Sequence, residues 1–135
     1  MRRFDAKQLI RAAAQARKRA VAPYSKFKVG AALFTRQGSI VTGANVESAS
    51  YGLSCCAERV ALFKALTEGH RDFVAIAVVA AVKDGAMPCG ACRQLLVEYT
   101  PRARVLVADS RALHNFREFS MESLLPEAFL DLSGD

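Results

Sequence analysis

The sequence predicts an α/β fold, a mixed five-stranded sheet with helices packed over it. Three observations predict this. Apolar residues recur at helical spacing in separate segments. Short strand-like runs alternate with those segments in the order α-β-β-α-β-α-β-β. One run, Phe73 to Val82, is continuously apolar and rich in Val and Ala, as suits a strand buried on both faces. The chain has 135 residues and is 52% hydrophobic, so a single domain over residues 1–135 can fill a core.

Asp5 to Val21 reads as the first helix, with Asp5 as N-cap and Ala6, Leu9, Ile10, Ala13 and Ala20 as its apolar face. Ala22-Pro23 ends it. Lys28 to Thr35 and Ile40 to Val46 read as strands joined by a turn at Gln37-Gly38. Ser54 is the expected N-cap of a helix from Cys55 to Thr67, closed by Gly69. After the apolar strand, Lys83 to Met87 is a loop and Cys89 to Tyr99 the next helix. Cys92, Leu95, Leu96 and Tyr99 at i, i+3, i+4 and i+7 mark its inward face. Thr100-Pro101 stops it. Arg104 to Ala108 and His114 to Phe119 read as the last two strands, and Ser120 caps a final helical turn before Leu124-Leu125-Pro126.

The longest apolar run is half the roughly twenty residues that a membrane-spanning helix needs, and the N-terminal region has no secretion-signal pattern. A cytoplasmic protein without membrane contact is expected, and there the four cysteines read as metal-binding or catalytic rather than as disulfides. The net charge is +6, much of it in Arg2, Arg3, Lys7, Arg11, Arg17, Lys18 and Arg19. No stacking aromatics interleave with these residues, so they read as the solvated face of a helix and not as a nucleic-acid footprint.

The chemistry concentrates in Cys56-Ala57-Glu58 and Pro88-Cys89-Gly90-Ala91-Cys92. Three thiolates leave the fourth position of a tetrahedral zinc open for water, and a carboxylate that is not a ligand can move that water's protons. Both segments fall at predicted helix starts, where the partial positive charge favours thiolates. Zinc with three thiolates is formally −1, and Arg59 or Arg93 can hydrogen-bond a sulfur and draw off charge. Cys55 points about 100° away from Cys56 on a helix, which disfavours a closed four-cysteine knot and makes Cys55 a small core residue. A redox dithiol at Cys89 and Cys92 would leave Cys56 and Glu58 without a role.

These segments, with Tyr24-Ser25-Lys26-Phe27, Val29-Gly30-Ala31-Ala32, Gly43-Ala44-Asn45-Val46-Glu47, Ala49-Ser50-Tyr51-Gly52 and Leu124-Leu125-Pro126, resemble the cytidine deaminases of the small, all-cysteine zinc type over residues 20–130. The resemblance implies a three-layer α/β/α domain and one zinc per subunit on Cys56, Cys89 and Cys92. It implies hydrolysis of cytidine and 2′-deoxycytidine with Glu58 as proton shuttle, as the general chemistry of zinc deaminases has it. By the same resemblance Asn45 and Glu47 bind the ribose 3′-hydroxyl, Phe27 stacks near the pyrimidine and Ala57 lines the pocket. Arg59 tempers the thiolate charge and Gln94 supports the site. An amide beside a carboxylate suits a hydroxyl and repels a phosphate, which favours nucleoside over nucleotide. Similar enzymes are homotetramers, and Ala49, Tyr51 and Phe129 would reach a neighbouring subunit's site. Ser48, Lys28 and Cys55 depart from the family's usual residues. The competing readings are a deaminase of blasticidin S or free cytosine, an editor of single-stranded nucleic acid, and a non-catalytic zinc module, which would have no use for Glu58.

Overall fold

Asp5 starts the first helix, α1 (Ala6–Arg17), its carboxylate accepting from the N–H groups of Lys7 at 3.1 Å and Gln8 at 3.4 Å. The structure is a computed structural model and describes residues 3–130. Strands β1 (Val29–Thr35) and β2 (Ile40–Ala44) follow as a hairpin. Then come α2 (Ala57–Thr67), β3 (Phe73–Ala80), α3 (Gly90–Tyr99), β4 (Arg104–Asp109), β5 (Arg117–Ser120) and a short helical turn, α4 (Met121–Leu124).

The sheet order is β2-β1-β3-β4-β5. Only β3 and β4 are parallel; the other neighbours are antiparallel, so the mixed five-stranded sheet is as expected. The strand alternation sorts its two faces. Ala32, Phe34, Ala75, Ala77, Val79, Leu106 and Ala108 meet Leu9, Ile10 and Ala13 of α1. Ala31, Leu33, Ile76, Val78, Val105 and Val107 meet Ala61, Leu62 and Ala65 of α2 and Leu96 and Val97 of α3. The result is three layers, α/β/α, with β3 buried on both sides.

The connections decide where the chemistry goes. Helix α2 leads into β3 and α3 leads out of it, so both helices start at the C-terminal end of that strand. Val29, at the start of β1, pairs with Ala80 at the same end.

Two glycines let the layers close. A Cβ on Gly30 would lie 2.0 Å from the Ala13 carbonyl oxygen and 2.4 Å from the Arg17 nitrogen, both backbone atoms of α1. A Cβ on Gly43 would lie 2.5 Å from the Ala61 nitrogen of α2. Neither neighbour is a flexible side-chain end, so a methyl group must push a helix off the sheet. Gly30→Ala is therefore expected to destabilise the fold by about 3 kcal/mol, the upper range for overpacking, measured by urea denaturation.

Several boundaries differ from the sequence reading, each for a local reason. Helix α1 stops at Arg17 rather than Val21, because Val21 bridges to Val46 instead: its N–H reaches the Asn45 carbonyl and its carbonyl accepts from Glu47. Helix α2 begins at Ala57 with Cys56 as N-cap, not at Cys55 with Ser54 as cap. Cys55 exchanges both backbone hydrogen bonds with Val46, which keeps the chain extended there, and the Ser54 hydroxyl accepts from Ser48 at 2.9 Å. Cys55 is half-buried and outside the core. In α3, Tyr99 is exposed, and Val97 and Thr100 are buried in its stead. Residues 110–116 turn rather than extend, so β5 starts at Arg117 and not at His114. Ser120 does cap the last turn, accepting from Ser123 at 3.1 Å.

Candidate functional site

Cys56 and Cys89 are the N-cap residues of α2 and α3, and Cys92 lies in the first turn of α3. Their three sulfurs lie within 4.8 Å of one another. Cys56 Sγ and Cys89 Sγ are 3.9 Å apart. Tetrahedral zinc with bonds of about 2.3 Å requires a sulfur–sulfur edge of about 3.8 Å. The donor set, its spacing and its placement on two helix N-termini fit zinc, and α3 adds a backbone N–H from Cys92 to Cys89 Sγ at 3.4 Å.

The surrounding charge is arranged for such a cation. Arg59 donates from Nη2 to Cys56 Sγ at 3.3 Å, while its Nε is buried with no partner among the described residues. The hydrogen bond with Cys92, then the Arg59 guanidinium, bring the Cys56 thiol down to about 5 against the opposing effect of burial. Cys92 moves the other way, held protonated first by its hydrogen bond to Cys56 and then by its burial. Of the two arginines that the sequence offered to the sulfurs, Arg59 makes the contact. Arg93 instead donates to the carbonyls of Pro88 at 2.8 Å and Leu124 at 3.0 Å, tying the loop before α3 to α4.

Glu58, one residue into α2, is 5% exposed. Burial, with the neighbouring Cys56 charge adding to it, raises its carboxyl to about 7, although its own backbone N–H and Arg59 pull the other way. A carboxyl poised there can both take and return a proton near neutral pH.

A cavity of about 220 Å³ joins this centre to the other expected residues. Cys56, Ala57, Glu58 and Cys89 line it together with Phe27, Asn45 and Glu47. Ser25 and Val29 also line it, and Val78, Ala86 and Met87 complete the wall. The sequence reading did not single these three out; only the apolar strand and the loop that carry them were legible. Asn45 holds the pocket's rim, accepting from Val29 N–H at 2.8 Å and donating to the Phe27 carbonyl at 2.9 Å. Glu47 accepts from Tyr24 N–H at 3.1 Å and Ser25 N–H at 3.0 Å, and from the Ser25 hydroxyl. The Ser25 hydroxyl and then the Ser25 N–H hold its carboxyl below the usual range.

The remaining expected residues lie outside the cavity. Gln94 donates to Glu98 at 3.1 Å and to the Phe129 carbonyl at 2.8 Å, so it holds the C-terminal segment against α3 and does not touch a sulfur. Ala49, Tyr51 and Phe129 are exposed, Tyr51 by 84% and Phe129 by 67%.

Comparison with known proteins places this geometry. The family described as the cytidine and deoxycytidylate deaminase zinc-binding region matches residues 4–108. This chain belongs to that deaminase family. A cytidine deaminase of Halalkalibacterium halodurans is 53% identical over 126 residues, which are 93% of this chain and 95% of that protein. A crystal structure of cytidine deaminase from Burkholderia pseudomallei superposes with a TM-score of 0.89 at 49% identity, over 93% of this chain and all of that one. A blasticidin-S deaminase of Bacillus cereus is 32% identical over 62% of this chain and 65% of its own length. The deaminase family thus accounts for both the three-layer fold and the cysteine cluster.

Proposed function

We propose that this chain catalyses the zinc-dependent hydrolytic deamination of cytidine and 2′-deoxycytidine to uridine and 2′-deoxyuridine, releasing ammonia. The observation that carries this reading is the single cavity uniting two thiols of the cysteine cluster and the buried Glu58 with Phe27, Asn45 and Glu47. Cytidine deaminase relatives that span nearly the full chain favour it over a blasticidin S substrate, since the blasticidin-S deaminase matches less of the chain at lower identity.

Cys56, Cys89 and Cys92 would hold the zinc. When bound, the metal supplies Lewis-acid activation of a water nucleophile. Glu58 takes a proton from that water as it attacks the amine-bearing ring carbon, and delivers it to ring N3. It then carries the second proton to the departing amine, so water and cytidine yield uridine and ammonia. A carboxyl whose burial favours its protonated form suits this double duty. Arg59 lowers the negative charge of the thiolate cluster through Cys56. Phe27 offers its ring to the pyrimidine, Ala57 the floor beside it, and Asn45 and Glu47 polar atoms for the ribose 3′-hydroxyl. Gln94 supports the site indirectly, through the C-terminal segment.

The reading includes a cytoplasmic, single-domain protein over residues 1–135 that assembles as a homotetramer, with Ala49, Tyr51 and Phe129 of one chain reaching a neighbour's pocket. Tyr51 and Leu53, and Phe129 and Leu130, are exposed, and large apolar groups left at a surface support such an assembly. No helix among the described residues is long and apolar enough to cross a membrane. The deciding experiment is ultraviolet-monitored deamination by purified protein, with zinc measured on the same sample and cytidine, deoxycytidine, cytosine and blasticidin S compared. Conversion of the two nucleosides in preference to the other two is expected. Preference for cytosine or blasticidin S overturns the substrate, and no conversion at any protein concentration overturns the enzyme.

A further inference from the structure

The segment before β1 is bent in an unusual way. Lys26 has φ +63°, a left-handed conformation that costs a side-chain-bearing residue about 1 kcal/mol or more. It stands between Ser25 and Phe27, and both neighbours line the cavity. Besides the Lys26 N–H bond to the Ala22 carbonyl, three hydrogen bonds hold this bend to Glu47, three residues past β2, and a fourth lies within the bend. Tyr24 N–H and Ser25 N–H donate to one oxygen of Glu47, and the Ser25 hydroxyl donates to the other. The same hydroxyl accepts from Phe27 N–H at 3.0 Å.

Counting protons and lone pairs assigns the parts. A hydroxyl has one proton, and that of Ser25 goes to Glu47. It has none left for a ligand, so it does not itself read a substrate as donor. An ionised carboxylate accepts at about four positions. Three are taken by this bend, and the fourth lies on the oxygen that Ser25 orients. The two backbone donors fix one Glu47 oxygen, and among the described residues only the Ser25 hydroxyl fixes the other. That hydroxyl also fixes the amide of Phe27, whose carbonyl is held by Asn45 at 2.9 Å. Ser25 thus couples Glu47, offered to the sugar, to the backbone of Phe27, whose ring is offered to the base, while Asn45 holds the same residue from its carbonyl side.

We propose that Ser25 is a positioning residue for nucleoside binding, setting the free oxygen of Glu47 and the plane of Phe27 through one hydroxyl. This rests on the deaminase reading above. Because Ser25 lies at the rim and away from Glu58 and the thiols in the hydrogen-bond network, its loss acts on binding before chemistry. The loss of a hydrogen bond to a charged group corresponds to a KM increase of about tenfold.

The test is steady-state kinetics of the zinc-loaded wild type, Ser25→Ala and Ser25→Thr on cytidine, with zinc content and circular dichroism of each. Ser25→Ala is expected to raise KM about tenfold while lowering kcat less than about threefold, and Ser25→Thr, which keeps the hydroxyl, to bring KM back within about threefold of wild type. Should Ser25→Ala not fold, Ser25→Cys, close in shape but a weak donor, is expected to show the same rise in KM. A KM within twofold of wild type for a folded, zinc-loaded Ser25→Ala overturns the proposal. So does a loss confined to kcat, or a folded Ser25→Thr that fails to restore KM. If wild type itself does not convert cytidine, the deaminase reading fails first and this role fails with it.

Discussion

Glu58→Gln is expected to keep one zinc per chain and the wild-type circular dichroism while losing about three to four orders of magnitude in kcat. The amide matches the carboxyl in shape, so the pocket wall and the first turn of α2 remain. What disappears is the group that can accept a proton and give it back. The change also has a sign for stability. The folded chain raises Glu58 from 4.5 to about 7, so folding disfavours its ionised form. In the metal-free protein the variant should therefore match wild type below pH 4.5 and gain on it progressively as pH rises through about 7. Paired denaturation curves across that range, alongside single-turnover assays of the zinc-loaded proteins, check both halves. Near-normal turnover by Glu58→Gln would refute the mechanism.

Cys92→Ala should have the larger effect on the molecule as a whole. Cys92 is fully buried, and its sulfur belongs to the cluster that joins the starts of two helices. Metal binding here adds to folding free energy, since the three donors converge only in the folded chain. Removing one is expected to leave less than about a tenth of the zinc, to bring turnover to background, and to lower the thermal midpoint by about ten degrees or more. Cys55→Ala is the informative companion. Cys55 lies next to Cys56 in sequence but outside the cluster, so its replacement should retain zinc. Equal zinc in Cys92→Ala and wild type, by atomic absorption, would show that the cluster is not the metal centre.

The ligand spacing and the spare carboxylate were legible because they lie in two short segments whose helical context is set by local pattern. The apolar run in 73–82 was legible for a similar reason: a strand covered on both faces leaves no polar alternation. What escaped was decided by contacts distant in sequence. Ser54 looks like a helix cap, yet the bridge between Val46 and Cys55 keeps the backbone extended past it and passes the cap to Cys56. Val21 fits a helix, but Asn45 and Glu47, just past β2, claim its backbone groups. Tyr99 fits the helical repeat of α3, but the last turn presents Val97 and Thr100 to the core. Both Arg59 and Arg93 neighbour a cysteine in sequence, with Arg59 favoured for its place beside Glu58; Arg59 does reach Cys56, while the carbonyls of Pro88 and Leu124 hold Arg93 elsewhere. The pocket residues Ala86 and Met87 carry no motif at all; they enter the site because the loop after β3 folds over its end.

The strand registers also have a practical side. Thr35 pairs with Phe73 and Arg104 with Ala75, so the turns at residues 36–39, 69–72 and 101–103 gather at the N-terminal end of β3. The cysteines, Glu58 and the cavity gather at the opposite end. A dye, a tether or a grafted peptide placed in the turn at Gln37-Gly38 would be separated from the reaction centre by the length of the sheet. The molecule has a handle at one pole and its chemistry at the other.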